Sequence, residues 1–247
     1  MWGMSRPQSI AVLGLVALMM LPLFGELNGQ RFGGFGIRQN EPPETEFIFS
    51  RWMYGGFRGG WEHDYPDAEE HINQVMKEAT GINVDRLSYK IVPIASPEIF
   101  NYPFGYISEP GMMRLSDEEV KNFREFVDRG GFVMLDDFDG PRMFQVMQEN
   151  MRKVFPDREM FRVGDDHAIL HTYYDIDSLY VESPYNVGGD AVFYGIADAK
   201  GDLAVLICFN NDVGDFWEWI DEPIYAVRPS AEALKLGINF ILYSMTH

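Results

Sequence analysis

Asp136, Asp137 and Asp139 follow directly on the apolar run Phe132 to Leu135, so three carboxylates crowd the exit of what reads as a buried strand. Carboxylates in that position can hold a cation or accept a proton, and open α/β sheets bind ligands outside the carboxyl ends of their strands. His63 and Asp64 stand beyond an earlier predicted strand and would reach the same edge if the two strands are parallel. Arg58, within the glycine-rich turn Gly55 to Gly60, could bind an anion or stay solvated. Asp165, Asp166, His167 and His171 form a second cluster, in which Asp166 beside His167 could orient an imidazole and hold its tautomer. Zinc is a minority reading there, because Ile169, Leu170, Thr172, Tyr173 and Tyr174 favour an extended or turn backbone over a helix that would stack the two imidazoles. Asn210 to Glu222 brings Trp217 and Trp219 among carboxylates, a composition suited to stacking on a sugar ring or meeting a partner protein. Calcium at Asp212, Asp215 and Glu218 lacks the regular alternation of a helix-loop-helix site.

Each of these groups also has a purely structural role to play. Asp64 and Asp139 suit helix caps, Asp137 suits a turn, and His63 can pack on Trp61 or face solvent. Trp217 and Trp219 can equally fill core space under a long loop. In a regular strand Asp136 and Asp137 point to opposite faces, so only one is expected in a pocket while the other meets the following helix.

The elements that must position these groups alternate strand and helix. Phe47 to Tyr54 predicts a first strand, and the helix after Pro66 turns Ala68, Ile72, Val75, Met76 and Ala79 inward before Gly81. Leu87 to Ile94 and Phe104 to Ile107 read as further strands. Ser116 and Glu119 form a capping box for a helix with Val120, Phe123 and Val127 on its apolar stripe, ending at Arg129 and Gly130. The continuous apolar strand Phe132 to Leu135 follows, as expected of a strand buried on both faces. Another helix after Pro141 carries Phe144, Met147, Met151 and Val154 inward. Repeated strand–helix order predicts a three-layer α/β sandwich around a mostly parallel, doubly wound sheet with right-handed crossovers. Ala191 to Gly195 and Leu203 to Phe209 predict an antiparallel C-terminal addition, and a last helix from about Ser230 packs Leu234, Ile238, Ile241, Leu242 and Met245 on the sheet.

Twenty basic against 38 acidic residues leave a formal charge of −18, which disfavours nucleic acid and anionic lipid as partners. Cations, sugars or basic partners fit better, and the functional reading adds a small-molecule or envelope-protein ligand. Ile10 to Phe24 is too short for a comfortable membrane span and suits the core of a signal peptide, so residues 1–29 read as a cleaved signal or an uncleaved anchor. Residues 30–45, rich in Gly and Pro, read as a flexible tether, and 46–247 as one α/β domain. The predicted location is exported, periplasmic or extracellular, with membrane contact only through an uncleaved anchor. Cys208 is the only cysteine, so no intrachain disulfide can form.

WEHDYPDAEEH (Trp61 to His71), FNYPFGYI (Phe100 to Ile107), GGFVMLDDFDG (Gly130 to Gly140) and DDHAILH (Asp165 to His171) in this order resemble the bacterial domain of unknown function 4159. The resemblance implies a fold similar to class I glutamine amidotransferases, itself flavodoxin-like. Those enzymes place a nucleophilic Cys on a sharp turn after a core strand; here Cys208 lies inside the apolar run Leu203 to Phe209, where a thiol is ordinarily an inert core residue. The preferred reading is therefore a ligand- or protein-binding domain without thiol chemistry. The alternative is a hydrolase of a carbohydrate or other envelope substrate, with Asp136 or Asp137 and His167 as acid–base groups or as ligands of a divalent cation.

Overall fold

The computed structural model describes residues 40–55, 60–181 and 189–247. The predicted leader, most of the tether and Arg58 lie outside the described residues. Five strands, β1 (Phe49–Met53), β2 (Tyr89–Pro93), β3 (Phe104–Ser108), β4 (Phe132–Phe138) and β7 (Leu203–Phe209), run parallel in the order β2-β1-β3-β4-β7. Two antiparallel strands, β6 (Val192–Ala197) and β5 (Met160–Arg162), extend the sheet beyond β7. The result is a seven-stranded, mostly parallel flavodoxin-like sandwich. Leu203 to Phe209 is thus a member of the parallel core, and only β6 and the short, exposed β5, which carries no sequence pattern of its own, form the antiparallel addition.

Helices cover both faces. On one side α1 (Asp67–Ala79), α4 (Val213–Glu218) and α5 (Val227–Thr246) pack together over Phe49, Phe104, Tyr106, Phe132 and Met134. On the other, α2 (Asp117–Asp128) sets Phe123 and Phe126 edge-on against Trp52, and α3 (Gly140–Val154) lies beside α2. Gly105 lets the Trp52 indole sit against β3, since a Cβ there would lie 2.5 Å from the ring. The capping box of α2 forms as its sequence predicts. Helix α1, in contrast, is entered through Pro66 with no side-chain cap, so Asp64 and Tyr65 do not cap it. Helix α4 falls in a stretch read from sequence as a loop; Asp212 caps it, accepting from the Asp215 N–H at 2.9 Å. Among the described residues, no helix is long and apolar enough to cross a membrane.

Candidate functional site

Because β1, β3, β4 and β7 are parallel, their carboxyl ends open on one edge. Each is followed or ended there by a non-glycine residue in the left-handed region: Asp64 (φ 63°), Glu109 (φ 52°), Asp137 (φ 60°) and Asn210 (φ 53°). Left-handed backbone disfavours L side chains, and its concentration at one edge marks a place where geometry has been kept at the expense of local comfort.

The left-handed turn at Asp137 also overturns the expectation that Asp136 and Asp137 face opposite sides. The β4–β7 register shifts between Leu135 and Phe138, which breaks the alternation of the strand. Tyr106 and Ser108, two apart in β3, share a face. The Tyr106 hydroxyl donates to Asp136 Oδ2 at 3.1 Å, and the Ser108 hydroxyl donates to Asp137 Oδ2 at 3.0 Å. Asp136 Oδ2 also accepts the Gly214 N–H at 2.8 Å, an approach that a Cβ on Gly214 would block by meeting the Tyr106 hydroxyl at 2.4 Å. Behind Asp136 lies the fully buried Cys208, whose thiol is pushed well up by burial and then by the Asp136 carboxylate. A thiolate is therefore disfavoured at the chain's single cysteine.

His63 comes to the edge from the loop after β1. Its Nδ1 lies 3.5 Å from Asp137 Oδ2 and 3.7 Å from Glu109 Oε1, with the imidazole about half exposed. The loop is held from below by Arg51, which is fully buried in β1. Its guanidinium binds Glu69, stacks 4.8 Å from the Tyr106 ring, and donates to the Trp61 carbonyl at 2.9 Å and to the His63 carbonyl. Arg51 is thus the positioning residue for His63.

Acids outnumber cations here, and their proton affinities show it. Burial, then the nearby Asp137, pushes Asp64 up to about 8; burial pushes Asp136 up to about 7. Burial, then Asp137, raises Glu109 to about 7. Asp212 is driven well above its ordinary range by burial and then by Asp137. Asp137 is the exception: burial would raise it, but hydrogen bonding with His63, Asp212 and Ser108 outweighs that and holds it low. His63 in turn rises to about 9, chiefly through its side-chain interaction with Asp137. Among the described residues, three groups bring ligand atoms within 4.8 Å of one another: His63, Glu109 and Asp137; Asp64, Asp137 and Asp212; and Asp64, Asp215 and Glu218.

Of the candidates named from sequence, His63, Asp64, Asp136 and Asp137 meet at this edge. His167 does not. Its ring lies 6.1 Å from that of Tyr243, which packs on Phe132 at the start of β4, so His167 belongs to the opposite, amino edge of the sheet. From Phe132 to Asp136 is a rise of about 13 Å along the strand, and no Asp136–His167 or Asp137–His167 pairing exists. His167 instead caps a short 3-10 turn, accepting from the Ile169 N–H at 3.2 Å, and Asp166 is exposed beside it. Trp217 is fully buried, its indole N–H donated to the Ala233 carbonyl at 3.0 Å, so it stacks in the core and not on a ligand. Trp219 terminates α4, half-buried.

Sequence reasoning passed over Glu109, Ser108, Tyr106 and Arg51. Glu109 had a signal: it stands one residue beyond the β3 strand, the same position relative to its strand that drew attention to the aspartates. Arg51, a charge inside a strand buried on both faces, could have been flagged as a group needing a buried partner.

A search of the curated proteins finds no significant match to the chain. The family model described as Domain of unknown function (DUF4159) matches residues 49–245, which span every strand and helix on this edge, and the chain belongs to that family.

Proposed function

We propose that this member of the family is an exported or membrane-tethered binding domain whose ligand sits on the acidic edge formed by Asp64, Glu109, Asp137 and Asn210, with His63 at its mouth. The observation that carries this reading is the gathering of four left-handed, non-glycine residues, one per central parallel strand, at one edge. Three of them are acids brought close together in partly or fully buried surroundings. A fold pursuing stability alone would place Gly at such positions and would not bury like charges side by side. A hydroxyl-rich small molecule such as a carbohydrate, or a cation, matches the supply of acceptors. The apolar segment Ile10 to Phe24 supports export. The hydrolytic alternative would have to draw on His63, since His167 sits on the other edge.

The test needs no known ligand. If these acids are kept for binding, replacing them should stabilise the free protein. Glu109→Gln and Asp64→Asn in the full chain should each raise the thermal midpoint after chelator treatment, by the equivalent of about 1 kcal/mol. A fall in the midpoint for both would show that the acids are structural and would remove the reading.

A further inference from the structure

His63, Glu109 and Asp137 present one imidazole nitrogen and two carboxylates from three different strand ends. In a tetrahedral site with bonds of about 2.0–2.1 Å, neighbouring ligand atoms stand about 3.4 Å apart. His63 Nδ1 lies 3.5 Å from Asp137 Oδ2 and 3.7 Å from Glu109 Oε1. The 3.5 Å contact lies at the outer limit of a hydrogen bond and the 3.7 Å contact beyond it, and both are close to the separations of ligands sharing one ion. An independent observation points the same way. Glu109 is only 8% exposed; its Oε1 faces His63, while Oε2 of the same carboxylate is buried with no hydrogen-bond partner among the described residues. An unpartnered buried carboxylate oxygen is expensive unless an ion or a water satisfies it. The arrangement around the three is also that of a supported site: the Ser108 hydroxyl orients Asp137 Oδ2 from behind, and Arg51 fixes the His63 backbone.

We propose that His63, Glu109 and Asp137 bind one divalent transition-metal ion of the zinc or manganese class, leaving its solvent side open to a further ligand. The imidazole and the small number of protein ligands favour these over calcium or magnesium, which prefer six or more oxygens or several retained waters. This deepens the binding reading above and rests on it: the ion would be the part of the ligand that the acidic edge holds directly.

The full chain is stripped with a chelator, exchanged into metal-free buffer and titrated calorimetrically with ZnCl2 and, separately, MnCl2. One ion per chain is expected for at least one of the two. Glu109→Gln, Asp137→Asn and His63→Ala, each shown folded by circular dichroism, should weaken it by at least about tenfold. Glu218→Gln, which alters only the neighbouring acid group, should leave it unchanged. Absence of binding at about 1 mM metal, an affinity worth about 4 kcal/mol, overturns the proposal. So does binding that the three variants leave intact. If metal binding fails while Glu109→Gln and Asp64→Asn still raise the thermal midpoint, the ion falls and the acidic binding edge stands; if both of those variants also lower the midpoint, the edge itself falls.

Discussion

The two edges of the parallel sheet meet the same backbone demand with different residues. At the amino edge, the left-handed positions leading into β4 and β7 are Gly130 (φ 92°) and Gly201 (φ 98°), where a Cβ would meet nothing within 4 Å. At the carboxyl edge, beside the glycines Gly60 (φ 96°) and Gly140 (φ 69°), Asp64, Glu109, Asp137 and Asn210 take left-handed backbone despite their side chains. Polar groups differ in the same way. The amino-edge His167 is occupied by the Ile169 N–H, and Asp165 accepts from the Leu179 N–H at 3.0 Å. At the carboxyl edge, Asp64 Oδ2 and Glu109 Oε2 are buried without a hydrogen-bond partner among the described residues. Buried atoms without a hydrogen-bond partner also occur towards the amino edge, at Asn73 Oδ1 beside Ser88 and at Arg158 Nη1 beside Asp128, but Asp64 and Glu109 at the carboxyl edge fall, among the described residues, within groups of converging acids.

The largest effect expected is at Arg51. Arg51→Met strands the buried Glu69 carboxylate and frees the carbonyls of Trp61 and His63, and should cost about 3–5 kcal/mol in urea unfolding. Arg51→Met combined with Glu69→Met should recover most of that stability, while leaving His63 poorly placed. A loss below about 1 kcal/mol in the single variant would mean that the acidic edge is not held from below.

Exchanging the left-handed residues tests the contrast directly. Gly130→Ala should destabilise by about 1–2 kcal/mol, because open space does not relieve the positive φ. Glu109→Gly should do the reverse, gaining up to about 1 kcal/mol by relieving strain and removing a buried charge. Equal signs in chemical denaturation would erase the difference between the edges.

The pH dependence should have opposite signs as well. Asp64 and Asp136 rise from the ordinary 3.8 to about 8 and about 7 through burial, so in chelated protein the folded state keeps protons that the unfolded chain has lost. Their contribution is present near pH 4 and is lost as pH rises through 7 to 8. Asp157, away from this edge, is held down at about 2 by its hydrogen bonds with Arg124, and its contribution is lost as pH falls from about 4 towards 2. Thermal midpoints measured from pH 3 to 9 should therefore decline on both sides of a maximum. A midpoint that climbs steadily to pH 9 would contradict the protonated acids.

The smallest effects belong to groups that only look chemical. His167→Ala should change stability by no more than about 1 kcal/mol and leave metal titrations unaltered. Cys208 should resist iodoacetamide in the folded protein and react only on unfolding, read by mass spectrometry.

Local chemistry was enough to read the helix–strand alternation, the capping box at Ser116 and Glu119, the parallel core apart from Leu203 to Phe209, and the edge at which Asp136, Asp137, His63 and Asp64 gather. Periodicity, caps and continuous apolar runs are properties of neighbours in the chain, and they are expressed wherever the fold places them. Three outcomes were decided by the tertiary structure alone. The left-handed break at Asp137 turns both aspartates to one face, because register against β7 overrides the alternation of an isolated strand. Trp217 is drawn into the core by its packing on Phe49 and Tyr106, which lie more than a hundred residues away. His167 is separated from the aspartates by the length of β4, since strand direction, and not the kinship of residue types, determines which side chains share an edge.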